Sequence, residues 1–337
     1  MSQSVLHKHD PLSLVALLET HLPYSLPVYG TILANLPEPG ISPEGDGKTH
    51  PLTAWATFPP GDHHSEPWVI IVPLGAPLED QIRLYCSAET ACPDTSSSDC
   101  SSGLDAVKSA LRAYGELSPG FKMVGALNAL WVPEVERFLH GQPRGRCYVF
   151  LPPSTGLGGS QALEVEVEGY TVDHGRESEV EVFRDTSDIK RPSAYYRARL
   201  PWSTVIRPRS SPEAGPGPSS TPAPAAALVL THMDGSLGAL HTDSAHRRKG
   251  LARWVVQQHL KTGRGLLRNP RPSPATGSAN DQQDESVTRE GRGGERGGGG
   301  GGGAWTVVFR GNEASEGLWI NLGWRVGWEC AWVYKGD

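Results

Sequence analysis

The sequence predicts an α/β fold in which a mixed sheet is flanked by helices. Strand-like apolar runs alternate with helical patterns along the first 206 residues. Farther along, Asp234 and Gly235 separate two apolar runs, and an Asp-Gly pair in that position predicts a tight hairpin. A basic turn containing a glycine then leads directly into an amphipathic helix. Strands interleaved with helices form layered domains, because each sheet face must be covered.

An N-terminal α/β half is predicted over residues 1–206. Helical spacing of apolar residues predicts helices over 11–21, 104–114 and 133–140. Alternating or continuous apolar runs predict strands over 52–58, 68–72, 81–85 and 147–151.

Three segments have compositions that are unlike packed structure. Residues 87–103 are rich in serine, 207–225 are predicted to be a linker, and 264–303 are predicted to be a disordered insert. Arg-Gly-Gly repeats in the insert resemble RNA-binding tails, but six arginines there face five acidic residues. A flexible linker is therefore favoured over a nucleic-acid partner.

A C-terminal domain is predicted over residues 226–337. It begins with the hairpin strands, 226–230 and 236–241, and continues into a helix with an apolar stripe. After the insert, residues 305–309 predict a buried strand, 312–322 a helix and 328–334 a final strand.

The turn between the hairpin and the helix, called here the basic turn, is Arg247-Arg248-Lys249-Gly250-Leu251-Ala252. The first turn of a helix has N–H groups without partners, and the helix dipole places partial positive charge there. A pyrophosphate fits that end of a helix, and glycine allows close approach of the backbone. The alternative is a solvated, basic helix start.

The pattern Arg-x-x-Gly-x-Ala in the basic turn resembles the coenzyme A signature of the GNAT superfamily of acyl-CoA N-acyltransferases. The helix that opens at Asn312 and closes at Leu322-Gly323-Trp324 is similar to the last helix of that superfamily. The stretch Gly-Trp-Glu-Cys-Ala-Trp at 327–332 and the long N-terminal half look most like the glycine N-acyltransferase-like branch. In that branch the N-terminal half is a degenerate GNAT-like unit.

The resemblance implies an N-acyltransferase that uses acetyl-CoA or another acyl-CoA as co-substrate. The acyl group would pass by direct attack to a small amine or amino-acid acceptor. The positions matching the co-substrate site are Ala239, Leu240, His241, Arg247, Arg248, Lys249, Gly250, Leu251, Ala252 and Asn312. For Lys249 a solvated position, and for Asn312 a helix cap, are the alternatives.

The catalytic residues are less evident from the sequence. Where many members of the superfamily have a tyrosine in the last helix, this chain has Trp319, and where the branch has a glutamate it has Ser236. Asp234 and His241 are the candidates for the general base. A turn role for Asp234 and a structural or solvated role for His241 are the competing interpretations.

Because the expected tyrosine and glutamate are absent, three functions remain open. The first is an active N-acyltransferase, and the second is a CoA-binding regulatory or interaction protein that lacks catalysis. The third is a histone or protein acetyltransferase in which the insert is a docking arm.

The composition of the chain limits the classes of partner that we expect. A formal net charge of −6 argues against a general nucleic-acid binder. The chain has no run of eighteen apolar residues and no secretory pattern at its start, which predicts no membrane partner and a cytoplasmic location. Five cysteines without a Cys-x-x-Cys pair predict reduced thiols and no metal site.

Overall fold

The computed structural model describes residues 5–36, 52–62, 67–75, 77–78, 80–92, 98–153, 166–209, 223–262 and 304–336. The predicted insert 264–303 and residues 210–222 of the predicted linker lie outside the described residues.

The first half of the described chain contributes helices and strands in alternation. They are β1 His7–His9, α1 Val15–Thr20, α2 Leu26–Ala34, β2 Ala54–Ala56, β3 Val69–Pro73, β4 Gln81–Cys86, α3 Ser98–Leu117, β5 Met123–Asn128, α4 Val132–Leu139 and β6 Gln142–Leu151.

The second half repeats the same order of element types. Its elements are β7 Tyr170–Asp173, α5 Val180–Thr186, α6 Ser193–Arg199, β8 Ser203–Pro208, β9 Ala227–Thr231, β10 Leu237–Thr242, α7 Leu251–Lys261, β11 Thr306–Phe309, α8 Glu313–Asn321 and β12 Arg325–Tyr334. Short 3-10 turns occur in both halves, at Pro11–Leu14, Ser87–Thr90, Glu177–Glu179, Leu200–Trp202 and Ser244–His246.

All the described strands join one sheet, in the order β1-β2-β3-β4-β5-β12-β6-β11-β10-β9-β8-β7. The two halves exchange their last strands, since β12 pairs with β5 and β6 pairs with β11. The parallel pairs are β4 with β5 and β10 with β11, which occupy corresponding places in the two halves. The predicted mixed sheet is thus confirmed.

Helices cover both faces of the sheet. In β3, Ile70 and Val72 belong to the core beneath α1 and α2, whereas Val69 and Ile71 belong to the core beneath α3 and α4. In β9 and its neighbours, the core beneath α7 is separate from that beneath α5 and α6. This alternation is what a strand buried on both faces requires.

Several boundaries differ from those predicted. The predicted helix 11–21 begins as a 3-10 turn, and Leu12 is 48% exposed while Leu14 is buried. The tighter 3-10 winding changes which residues share a face. Helix α3 begins at Ser98, inside the serine-rich segment, and strand β8 extends to Pro208, inside the predicted linker. Arg207 is buried there, where it pairs with Glu179 and Asp173.

The prediction of five reduced thiols was wrong for one pair. Cys92 and Cys100 form a disulfide, with their Cα atoms 5.8 Å apart. The start of α3 brings the two residues together, which their sequence spacing did not indicate. Cys86, Cys147 and Cys330 are buried and form no disulfide among the described residues. Across the described ranges, no helix combines the length and apolarity needed to cross a membrane.

Candidate functional site

Strands β10 and β11 separate soon after they meet. Their parallel pairing is confined to Leu237 and Thr306. On its other side β10 pairs with β9, but the register shifts between Gly238 and His241, and Ala239 has a φ of 49°. A shift of this kind is a bulge, which bends a strand and redirects its backbone groups. The half-buried residues Ala239 and Leu240 therefore border a gap in the sheet.

The corresponding place in the first half is filled by side chains. Glu89 accepts hydrogen bonds from Trp131 Nε1 (2.9 Å), the Cys86 backbone N–H (3.1 Å) and Asn128 Nδ2 (3.0 Å). Trp131 is 1% exposed. Burial raises the pKa of Glu89 to about 7 despite these three donors. This cluster lies at the carboxyl ends of β4 and β5, a position that corresponds to the gap between β10 and β11 in the second half.

The basic turn presents its backbone to solvent. Arg248 has a φ of 61° and Gly250 a φ of 80°, and α7 begins at Leu251. A Cβ placed on Gly250 would meet no atom within 4 Å, so the space beside it is open. Alternating left-handed and right-handed residues turn successive N–H groups toward one side, which is a common anion-binding arrangement. Leu251 itself is buried, so only its backbone faces this space.

Two side chains of the basic turn hold it in place. Lys249 Nζ donates to the Tyr170 hydroxyl (3.1 Å), which also lies 2.9 Å from His246 Nδ1. Arg247 Nε donates to the Thr242 carbonyl (3.2 Å). The turn is therefore attached to β7 and β10 by two hydrogen bonds, and the Lys249 ammonium donates the one to β7. Arg248 and Ala252 are exposed and half-buried, respectively.

Asp234 is enclosed by donors. Arg83 Nη2 donates to its Oδ2 at 2.7 Å, and the Ser236 hydroxyl and backbone N–H donate to Oδ1 at 2.6 and 3.1 Å. Burial by itself would raise the pKa of Asp234, but Arg83, His232 and Ser236 together hold that pKa well below its usual range. A carboxylate so strongly stabilised is a poor proton acceptor, which disfavours Asp234 as general base.

A cavity of about 70 Å³, partly open to solvent, lies beside the bulge. We call it the central cavity. It is lined by Cys147, Ser187, Asp188, Ile189, Arg191, His232, Asp234, Ser236, Leu237, Gly238, Ala239, Val307, Phe309 and Trp332. The cavity thus adjoins the bulge on one side and the connection between α5 and α6 on the other. His241 is not among these lining residues; it is half-buried, and burial and Arg247 lower its pKa.

His232 is a candidate that the sequence did not reveal. Its Nδ1 lies 2.8 Å from the Tyr195 hydroxyl, and a Cβ on Gly238 would collide with its Nε2. Burial, followed by the charge of Arg191, lowers the pKa of His232 well below its ordinary value. The ring is therefore neutral near pH 7 and faces the bulge. In the sequence His232 follows an apolar strand directly, and this position carries no signal of a catalytic role.

Two residues of the last helix have structural partners. Asn312 accepts from the Ser315 backbone N–H (3.2 Å), so it caps α8, and its amide donates to Asp188 at the cavity (3.3 Å). Trp319 is buried against Trp324, with ring centroids 4.5 Å apart. The indole of Trp319 therefore belongs to the core.

Comparison with known proteins adds to the fold. No protein-family model and no curated protein matches this chain. A Drosophila protein from a structural genomics consortium is similar over 99% of both chains, with a TM-score of 0.61 and 10% identity. This similarity shows a shared fold.

Two named acetyltransferase structures resemble the chain more weakly. One is a tandem GNAT protein from the clavulanic acid biosynthesis pathway, similar over 98% of both chains with a TM-score of 0.44 and 10% identity. The other is a putative acetyltransferase from Pyrococcus horikoshii, with a TM-score of 0.44, 10% identity and coverage of 100% of this chain and 91% of that one. At TM-scores under 0.5, neither resemblance bears on what this chain does.

Proposed function

We propose that this protein is an N-acyltransferase of the GNAT type that transfers an acyl group, acetyl in the simplest case, from CoA to an amine. The observation that carries the proposal is the gap between β10 and β11. It begins at the bulge of Ala239, beside the central cavity, and the same strand leads on to the exposed N–H groups of the basic turn.

The co-substrate would bind along this gap. The pyrophosphate would accept hydrogen bonds from the backbone of the basic turn, with the helix dipole of α7 favouring its charge. The pantetheine arm carries amide groups, which can pair with the backbone of β10 where β11 has separated from it. Ala239, Leu240 and His241 would supply these groups. Ala252 and Arg248 would border the phosphates.

The thioester would then lie beside the bulge, at the mouth of the central cavity. A neutral amine attacks the thioester carbon, forming a tetrahedral oxyanion, and the C–S bond breaks to release the CoA thiolate. Backbone N–H groups of the bulge are suited to stabilise the oxyanion, because they are fixed before the reaction begins. Holding amine and thioester together supplies much of the rate.

An amine is mostly protonated near neutral pH, so a group in the cavity must accept its proton. We assign this role to His232 from its position, because it lines the cavity, whereas Asp234 is paired with Arg83 and His241 is not a lining residue. The ring of His232 is neutral, the Tyr195 hydroxyl can accept from Nδ1–H, and Nε2 is directed toward Gly238. In that tautomer Nε2 is unprotonated and lies beside Gly238, which lines the cavity. Asp234 would act indirectly, because its buried negative charge favours the protonated form of the imidazole.

The two halves would have different roles. We propose that β1 to β6 form the degenerate unit, whose gap is closed by Glu89, Asn128 and Trp131, and that β7 to β12, which contain the elements of the predicted domain 226–337, form the acyl-CoA-binding unit. The shared order of elements supports two units with their boundary between β6 and β7, which is earlier in the chain than the linker 207–225 predicted from composition. The exchange of β6 and β12 makes each half necessary for the sheet of the other.

A second candidate function is CoA binding without catalysis. It is favoured by the buried Trp319, which replaces a potential phenolic acid, and by the pairing of Asp234 with Arg83. Binding and turnover distinguish the two functions.

The test begins with thermal unfolding of the full chain with and without acetyl-CoA. Stabilisation followed by release of free CoA thiol with a panel of amines supports the transferase. Stabilisation with no thiol release from any amine supports the CoA-binding protein. Absence of stabilisation with acetyl-CoA and with longer acyl-CoAs contradicts both.

A further inference from the structure

Arg191 is a buried cation with no ionic partner. Its side chain lines the central cavity, and the residue is 7% exposed. Among the residues that the structure describes, none forms an ion pair with it, and its Nε has no hydrogen-bond partner. Burying a charge without a partner costs free energy, so such a group usually binds a ligand or a counter-charge that comes from outside the chain.

The one described contact of Arg191 leaves its donors available. The guanidinium lies over the ring of Tyr195, with Cζ 5.0 Å from the ring centroid. Stacking on an aromatic ring uses the face of the guanidinium. The N–H donors lie in its plane, so they remain able to bind an anion at the same time. Tyr195 also bonds His232, so the stack fixes Arg191 relative to the proposed base.

The neighbouring acidic residues do not neutralise Arg191. The carboxylate of Asp234 is already paired with Arg83, which is 1% exposed. Asp188 lies at the cavity, but it is exposed and its Oδ2 accepts from Asn312. Because Arg83 behind the cavity wall already balances Asp234 and His232 is neutral, the positive charge of Arg191 is left without a buried counter-charge. An anionic group on a ligand would restore the balance.

We propose that Arg191 binds a carboxylate of the acceptor, so that the acceptor is an amino acid or another amine with a nearby carboxylate. The inference rests on the proposed function, because it assigns the acceptor to the central cavity. A guanidinium can hold a carboxylate through two parallel hydrogen bonds. The amine of the same molecule would then lie toward His232 and the bulge, where the thioester carbon is attacked.

The size of the cavity agrees with a small acceptor. Its volume is about 70 Å³, and Phe309, Trp332 and Val307 form an apolar side. This combination of apolar walls and one fixed cation is typical of sites for small ligands.

The experiment compares α-amino acids with their carboxamides as acceptors, using the full chain and acetyl-CoA. The amide retains the size and the amine but lacks the negative charge. We expect kcat/KM for the preferred amino acid to exceed that for its amide by about ten- to hundred-fold, the range for a charged hydrogen bond. In Arg191→Met the two acceptors should become equivalent, and Arg191→Lys should retain part of the preference because it retains the charge.

Arg197→Met is the matched control. Arg197 is an exposed arginine on α6 that pairs with Glu177 away from the cavity, so the preference should persist in this variant. Stabilisation by acetyl-CoA should be the same in all these variants, which separates acceptor recognition from co-substrate binding. Equal rates for acids and amides in the wild type, or an unchanged preference in Arg191→Met, would overturn the proposal.

If acetyl-CoA binds but no amine is acylated, a binding experiment tests whether Arg191 recognises a carboxylate. Calorimetry of the CoA complex with N-acetyl amino acids and with their amides measures carboxylate recognition without turnover. Tighter binding of the acids that is lost in Arg191→Met supports the inference even when the transferase proposal fails. Equal binding of acids and amides, or no binding of either, refutes it.

Discussion

Arg83 of β4 and Asp234 of the β9–β10 turn form a buried ion pair that joins the two halves of the chain, with Arg83 Nη2 2.7 Å from Asp234 Oδ2. The residues are 151 positions apart, and both side chains are nearly inaccessible. Asp234 also accepts both donors of Ser236, one residue before β10. The first half therefore positions the hairpin from which the candidate site begins.

The first prediction concerns the stability supplied by this pair. Arg83→Met should lower the free energy of unfolding by about 3–5 kcal/mol, because it leaves Asp234 buried without its counter-charge. The double variant Arg83→Met, Asp234→Asn should recover part of this loss, since no buried charge remains. Denaturant unfolding measures both. Arg197→Met, which removes an exposed ion pair, serves as control with a much smaller loss. Additive effects of the two buried substitutions would contradict the coupling.

The second prediction concerns the basic turn. Gly250→Glu should abolish stabilisation by acetyl-CoA, because it places a bulky anion in the open space beside the exposed N–H groups. A ligand at a hundred times its dissociation constant stabilises by about 2.7 kcal/mol, which thermal unfolding detects readily. Gly61→Glu is the matched control, since Gly61 has the same φ of 80° and open surroundings in the first half. Equal stabilisation of both variants would remove the basic turn from the site.

The third prediction concerns the proton acceptor. His232→Gln should lower kcat by about a hundred-fold or more, the usual contribution of a general base, with little change in acetyl-CoA binding. The rate is measured from thiol release at saturating acetyl-CoA. His241→Gln provides the comparison, since His241 lies outside the central cavity. A larger loss of kcat in His241→Gln than in His232→Gln would reassign the base to His241.

The fourth prediction concerns Glu89 and pH. Its pKa rises from 4.5 to about 7 in the folded chain, so its stabilising contribution is complete below pH 4.5 and is lost as pH rises through 7. As pH rises through this window, the free energy of unfolding of the wild type should therefore fall relative to that of Glu89→Gln, by at most about 3 kcal/mol. Glutamine retains the acceptor toward Trp131 and Cys86.

Comparing wild type and variant at each pH isolates Glu89 from other groups. His232, whose pKa is lowered, acts in the opposite sense, because stability falls as pH drops below its ordinary value of about 6.5. A wild-type-minus-variant difference that stays constant from pH 4.5 to 7 would show that Glu89 is ionised throughout.

The local pattern of the sequence predicted much of the second half. The hairpin, α7, β11, α8 and β12 all occur where apolar spacing, Asp-Gly and the glycine stops indicated, because these signals act over a few residues. The elements that were missed include the short β1 and β7, the polar α5, and also α2 and β5, which are buried. Their helical or extended form depends on neighbours that are distant in the sequence.

The basic turn, its glycine and the helix that follows were determined by the sequence alone, since turn geometry and capping depend on adjacent residues. Only the tertiary structure decided which side chains meet in the central cavity. It paired Asp234 with Arg83, placed the Tyr195 hydroxyl against His232 and left Arg191 without a counter-charge. These outcomes arise from strand order and from the exchange of β6 and β12, which bring together residues far apart in the chain. Burial and charge pairing are properties of that assembled interior, so no local pattern could have specified them.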